Sequence, residues 1–334
     1  MKQTDENLIS IVMPAKNAEQ FIGETIHSIR AQTHRNWELI AVDDHSEDAT
    51  PSILREISQK DPRIKLYPNE GQGILPALQT AVKHIRGAFI TRMDADDIMP
   101  EDRLSLQLDL LKKSGRGNVC TGPVKYFTTA KEQGNGFKKY ETWLNSLCKN
   151  NNHYAHIYKE CVIPSPAWLM YTSDFNEVGG FDGLEYPEDY DFVFRLYEAG
   201  ITTVSTRDVV LHWRDHPARA SRNLEQYRDQ TFFKLKWKWF KKLDWKPERP
   251  LVLYGAGPKG KKLAREIIDT DMPFIWVSGN SKKTGHYIYD TLVQPETTVH
   301  ELDKPQIIVA ISSPASLRTL SKKLREMDSV YYFC

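Results

Sequence analysis

Apolar runs and helical periodicities alternate along the first third of the chain. Leu8-Ile9-Ser10-Ile11-Val12-Met13 is a compact apolar run ended by Pro14, which reads as a buried strand. Glu19 to Ala31 follows, with Phe21, Ile22, Ile26 and Ile29 at helical spacing. Trp37 to Val42 gives a second strand. Asp48-Ala49-Thr50-Pro51 then opens a helix, with Pro early, where its missing N–H costs little. Ile64 to Tyr67 is a third strand, followed by a Gly71-Gln72-Gly73 turn and a helix to about Ile85. Ala88 to Met93 is the fourth, and a helical pattern runs from Glu101 to Lys113. This alternation predicts an α/β fold around a parallel sheet with right-handed crossovers.

Parallel strands present their carboxyl ends on one edge, where ligands bind in open α/β sheets. Pro14 to Asn17, Asp43-Asp44 and Asp94 to Asp97 are therefore expected to converge on a crevice shaped for a nucleotide. The stretch Arg92-Met93-Asp94-Ala95-Asp96-Asp97 concentrates three carboxylates where a strand breaks into a loop. Clustered carboxylates repel one another unless a cation lies between them. A hard divalent ion carrying phosphate oxygens suits such a loop. A solvated acidic loop or a helix cap uses the same residue types, so this stretch alone does not choose.

Two later segments extend the picture. In 226–246, Phe232, Leu235, Trp239 and Leu243 form one stripe at about 100° per residue, widened by Phe233, Trp237 and Phe240. Lys234, Lys238, Lys241 and Lys242 fill the other side. Such a helix can lie at an anionic membrane surface, or its aromatics can pack between two domains. From Pro250 the run Leu251-Val252-Leu253-Tyr254 leads into Gly255-Ala256-Gly257-Pro258-Lys259-Gly260 and a helix from Lys261 to Asp269. Phe274 to Val277 and Gln306 to Ile311 read as further strands, and Ser316 to Met327 as a final helix. This is a small Rossmann-like βαβ pattern. A dinucleotide site wants an acidic residue ending its second strand. Ser278-Gly279-Asn280 stands there instead, so an assembly or acceptor-positioning module is expected, through which the chain can oligomerise.

At 334 residues, two domains are expected. The balance of 45 Lys+Arg against 44 Asp+Glu does not suggest nucleic-acid binding. Cys120, Cys148, Cys161 and Cys334 lack metal or disulfide spacing and read as reduced cytoplasmic thiols. The polar, acidic start shows no signal peptide, and no run reaches the roughly 18 apolar residues of a membrane span.

The motifs Ile11-Val12-Met13-Pro14-Ala15-Lys16-Asn17, Ser28-Ile29-Arg30-Ala31-Gln32-Thr33, Glu38 to Ser46 and Ile90 to Asp97 together resemble family-two glycosyltransferases of the GT-A fold. Val178-Gly179-Gly180-Phe181-Asp182 and Pro187-Glu188-Asp189-Tyr190-Asp191-Phe192 continue the likeness, which covers about residues 8 to 220. The resemblance implies a GT-A mixed sheet over residues 1–222. A basic aromatic linker helix (223–247) and a small Rossmann-like α/β domain (248–334) would follow.

It also implies roles. Asp44 or Asp43 would read the base of a nucleotide-diphosphate sugar, with Pro14, Ala15 and Asn17 lining base and ribose. Gly73, Arg92, Asp94, Ala95, Glu188, Arg214 and His216 would complete the donor site, with Arg219 and Arg222 as further phosphate contacts. Asp96, joined by Asp94 and His216, would hold Mn²⁺ or Mg²⁺. Gly179 and Gly180 would let backbone approach the donor sugar. Asp189 would be the general base for an inverting transfer to a glycan or lipid-linked glycan hydroxyl, with UDP-sugar as the default donor. The setting implied is cell-surface polysaccharide synthesis at the inner face of the plasma membrane. Thr121 to Pro166 reads as irregular and would shape the acceptor pocket. The competing readings are an NAD-linked oxidoreductase centred on Gly255 to Gly260, and a non-catalytic sugar-nucleotide-binding scaffold.

Overall fold

The computed structural model describes residues 6–128, 135–217, 219 and 232–334. Two compact units emerge, Met1–Ala155 with Val162–Asn223, and His156–Cys161 with Leu224–Cys334.

The first unit alternates β1 (Ile9–Ala15), α1 (Ile22–Arg30), β2 (Trp37–Asp43), α2 (Thr50–Lys60), β3 (Ile64–Pro68), α3 (Ile74–Val82) and β4 (Phe89–Arg92). It continues through α4 (Arg103–Ser114), β5 (Asn118–Thr121), β6 (Val124–Thr128) and α5 (Asn135–Asn150). Last come β7 (Leu169–Tyr171), α6 (Thr172–Glu177), α7 (Glu188–Glu198), β8 (Thr202–Ser205) and β9 (Leu211–Asp215). The main sheet has the order β3-β2-β1-β4-β7-β5-β8. Its first four strands are parallel and β7 runs antiparallel to both β4 and β5, so the sheet is mixed. Both faces of β1 are covered, which is why its sequence is almost wholly apolar. Its one early polar residue, Ser10, is buried, donates to Glu38 and accepts from the Gly87 N–H. Because β1 lies between β2 and β4, the loops leaving all three meet on one edge.

Some boundaries differ from the sequence reading. Strand β1 carries through Pro14 to Ala15, pairing with β2 as far as Asp43. Helix α1 begins at Ile22, three residues late, after a turn in which the Ala18 carbonyl accepts from the Phe21 and Ile22 N–H groups; the Ala18 and Glu19 N–H groups are bonded to Thr50 and Asp48. The region from Thr121 to Pro166 is not irregular: β6 pairs with β9, and α5 lies across β6. Asn145 on α5 bonds both the N–H and the carbonyl of Val124, and Glu141 accepts from the Tyr126 N–H. Leu144 and Leu147 supply its buried face. Its polar composition conceals that period.

In the second unit β10 (Leu251–Tyr254), β11 (Ile275–Ser278), β12 (Tyr287–Ile288), β13 (Thr291–Pro295), β14 (Gln306–Val309) and β15 (Val330–Tyr332) form a sheet of order β12-β13-β11-β10-β14-β15. All its pairings are parallel except the β12–β13 hairpin. The described part of the basic aromatic segment is a helix, Phe233–Leu243, that belongs to this unit; residues 226–231 lie outside the described residues. In the described helix the aromatic stripe faces protein and not an open surface. Phe233, Leu235, Trp237, Trp239 and Phe240 are all buried, Phe240 meeting the rings of Tyr158, Tyr331 and Phe333. Lys236 is buried with them and donates to the carbonyls of Lys159 and Phe333. These buried rings are therefore part of the core of this unit. Among the described residues no helix is long and apolar enough to cross a membrane.

Candidate active site

Three loops carry the sequence-predicted residues to one edge of the first sheet. At the end of β1, Ala15 accepts from the Asp44 N–H at 2.8 Å. At the start of the acid loop, Met93 donates to the Val12 carbonyl. Pro14, Ala15 and Asn17 therefore stand between Asp43-Asp44 and Asp94 to Asp97, the expected convergence. Asn17 sits at φ 48° and uses its side chain to accept from the Glu47 N–H, so it shapes the 44–48 loop.

Asp44 is buried and well held. One oxygen accepts from Asn69 at 2.6 Å and from the Gly73 N–H at 2.9 Å, and the other faces Lys16 at 3.3 Å. Burial pushes its carboxyl up, but the Gly73, Asn69 and Lys16 contacts outweigh that and hold it below the ordinary value. Gly73 lies at φ 95°, a conformation that favours glycine. In Asp43, Oδ2 accepts from the Ser46 N–H, while Oδ1 is buried without a partner among the described residues.

The acid loop is fastened from beneath. Thr25 donates to the Ala95 and Asp97 carbonyls, Gln32 to those of Met99 and Pro100, and the wholly buried Arg103 to Thr91 and the Arg92 carbonyl. Sequence reading missed these three anchors, and also Asn69. Gln32 stands inside the Ser28 to Thr33 motif and Thr25 on the helix leading into it, but nothing in those residues announces the loop that they hold. On the loop, Asp94 accepts from Arg92 Nε at 2.9 Å and Asp96 meets His216 Nε2 at 2.8 Å. Asp97 points inward, accepting from the Arg214 N–H through Oδ1, with Oδ2 buried and unpartnered among the described residues. Burial, with Asp96 and Asp94 nearby, raises its carboxyl well above the ordinary value.

Arg214, read from sequence as a phosphate ligand, is engaged elsewhere. It is buried, bonds Glu24 and the Asp96 carbonyl at 2.6 Å each, and lies against the rings of Phe21 and Phe127. Its visible work is to fix the Asp96 backbone. Arg219 sits over the Trp213 ring; Arg222 lies outside the described residues. His212 pairs β9 with Ile98 through its backbone.

Across the site, Arg92 links the acid loop to α7. Its guanidinium donates to Asp94 and to Glu188 Oε1 at 3.2 Å, and all of Arg92 and Glu188 is buried. Burial opposes its charge, yet Asp94, Glu188 and Asp189 together raise its pKa. Asp189 is half-buried in a small cleft with Trp168, Phe181 and Ile163, beside Arg92 and Glu188. The apolar walls, then the Glu188 charge, push its carboxyl up to about 7 against the opposing pull of Arg92.

Gly179 and Gly180 turn the chain before this cleft at φ 84° and 51°. A Cβ on Gly180 would sit 2.8 Å from the Phe175 ring. Replacing it with Ala should cost about 2–4 kcal/mol, combining left-handed backbone strain with overpacking. The urea midpoint measures this, and an unchanged midpoint would remove the argument.

Oxygen and nitrogen donors at Asp96 and His216, with Asp94 adjacent in the loop, suit a hard cation that completes its shell with phosphate oxygens. Among the described residues no group of three protein ligands is assembled. His216 Nδ1, the other ring nitrogen, is buried without a partner among them.

The family model described as "Glycosyl transferase family 2" matches residues 10–177. Over 111 residues the chain is 42% identical to the Escherichia coli UDP-Glc:alpha-D-GlcNAc-diphosphoundecaprenol beta-1,3-glucosyltransferase WfgD, covering 33% of this chain and 43% of that one. It is 36% identical over 116 residues to the putative teichuronic acid biosynthesis glycosyltransferase TuaG of Bacillus subtilis, covering 34% and 46%. The chain thus spans less than half the length of these two relatives. Among solved structures, S. aureus TarS 1-349 in complex with UDP-GlcNAc superposes with a TM-score of 0.54 at 16% identity, over 78% of this chain and 72% of that one.

Proposed function

The chain belongs to glycosyl transferase family 2 and has the mixed α/β architecture of the GT-A fold, and from that premise we propose that it transfers a sugar from a UDP-sugar to a hydroxyl of a glycan or lipid-linked glycan in polysaccharide synthesis, with inversion and with Mn²⁺ or Mg²⁺. The observation that carries this reading is the buried Arg92 bridge. It ties the Asp94 loop to Glu188, and so to the neighbouring Asp189, in one ion network.

Within that reading Asp44, kept ionised by its donors, accepts the ring N–H of the base. Pro14, Ala15 and Asn17 line base and ribose. Asp94 faces ribose or sugar. Asp96, with His216 behind it, is the residue that would hold the divalent ion. When bound, that ion neutralises charge building on the departing diphosphate. Asp189 takes the proton of the acceptor hydroxyl as its oxygen attacks the anomeric carbon. The bond from that carbon to the diphosphate breaks, and its electron pair leaves with the phosphate oxygen. Arg92 and Glu188 fix where Asp189 stands and set its basicity. The UDP donor and lipid-linked acceptor are supported by the names of WfgD and of the TarS complex.

Incubation with UDP-, GDP- and dTDP-sugars in Mn²⁺, with and without EDTA, tests the reading. UDP release is expected from a UDP-sugar and should stop with chelator. Release undiminished by EDTA would remove the metal, and release from no donor would favour a non-catalytic sugar-nucleotide scaffold.

A further inference from the structure

The second unit holds a cleft of about 560 Å³, within the size range of small-molecule sites. It opens at the carboxyl ends of the parallel strands. The chain runs from β10 outward to β11 and β13, then returns to β14 on the other side. The strand order therefore reverses between β10 and β14, the position where open α/β sheets leave a crevice. Its walls come from four strand ends: 255–259 after β10, 278–280 after β11, Glu296 after β13, and 310–316 after β14.

The walls are chemically unequal. Gly260 lets the Pro258–Ile268 helix sit directly on the turn, since a Cβ there would meet the Gly255 carbonyl at 1.9 Å. Gly257, which caps that helix without a side-chain hydrogen bond, has nothing within 4 Å of where a Cβ would stand. First-turn N–H groups have no partner inside a helix, and Pro258 brings none. The other helix end at the cleft, Pro314–Lys323, is already capped by Ser313. An anion therefore has one open helix terminus to approach, with Lys259 beside it.

On the opposite wall stands the carboxylate that a sequence search at the end of β11 misses. Glu296, from the end of β13, accepts from the Tyr254 hydroxyl and pairs with Lys323 at 2.6 Å. A Cβ on Gly279 would lie 3.0 Å from its Oε2, so glycine leaves that carboxylate in the cleft. An ionised carboxylate accepts sugar hydroxyls. Strands β10, β11 and β13 make one nucleotide-binding half, while β14 and β15 leave the second a strand short, where a dinucleotide is bound across two complete halves.

We propose that this cleft is a second nucleotide site, separate from the donor site of the first unit. It takes a nucleoside diphosphate, with phosphate at Gly257–Lys259 and ribose hydroxyls at Glu296.

Titration calorimetry of the full chain with UDP, ADP, NAD⁺ and inorganic phosphate tests it, alongside Gly257→Glu and Lys323→Ala. Gly257 has an ordinary φ of −81° and open space, and Lys323 is half exposed, so both variants should fold. The expected result is two nucleotide-binding events in the unaltered chain, one of them weakened at least about tenfold in Gly257→Glu, with sugar transfer retained. Unchanged stoichiometry and affinity in Gly257→Glu would overturn the proposal. So would phosphate binding as tightly as a nucleotide, or NAD⁺ binding more tightly than ADP and UDP. If the donor site fails instead, Gly257→Glu removes the single event that remains, which separates the two outcomes.

Discussion

Asp189→Asn is expected to lower kcat about 10²–10⁴-fold while leaving donor KM nearly unchanged, because the amide keeps the shape but cannot accept the acceptor's proton. The pH profile is the sharper readout. With its carboxyl pushed up to about 7 by burial and by Glu188, Asp189 is mostly protonated below that pH. kcat/KM should therefore fall close to tenfold per unit as the pH drops beneath 7, and that limb should vanish in the variant. Stability moves the other way. A carboxyl whose folded pKa lies above its unfolded value contributes stability below about pH 4, and loses it as the pH rises through 7. Removing the charge should leave the melting temperature at pH 8 unchanged or higher. A variant with near-normal kcat, or one retaining the limb, would dismiss Asp189 as the base.

Asp96→Ala should reduce transfer about 10²–10³-fold at saturating Mn²⁺, since several kcal/mol of charge stabilisation on the leaving diphosphate would go with the ion. The side chain is about a quarter exposed and its fixed contact is with His216, so folding should survive. UDP affinity measured with and without Mn²⁺ separates the two roles of the loop. The unaltered chain should bind UDP more tightly with the ion, and Asp96→Ala should show little difference. An equal Mn²⁺ dependence in both would show that Asp96 does not hold the cation.

What the sequence disclosed follows from how strongly each feature is written in local chemistry. Strands β1, β2 and β4 are buried on both faces, so apolar residues dominate β1 and β2 and open β4, and the carboxylates after them stand out. Helix α5 escaped because its buried residues, Leu144 and Leu147, are set among lysines and asparagines. Arg214 has the chemistry of a phosphate ligand, and only coordinates show Glu24 and the Asp96 carbonyl already occupying it. Glu296 was hidden for another reason. The parallel pairing of β13 with β11 sets Ser278 against Pro295 and so places Glu296 beside Gly279, and its distance along the chain gave no sign of its distance in space.

The fastening of the 93–100 loop by Thr25, Gln32 and Arg103 has an energetic corollary. Its carboxylates are already immobilised when a ligand arrives, so little ordering entropy remains to be lost on association. Contacts formed there can instead favour the strained geometry at the reaction's summit over the resting complex, which is where turnover is gained.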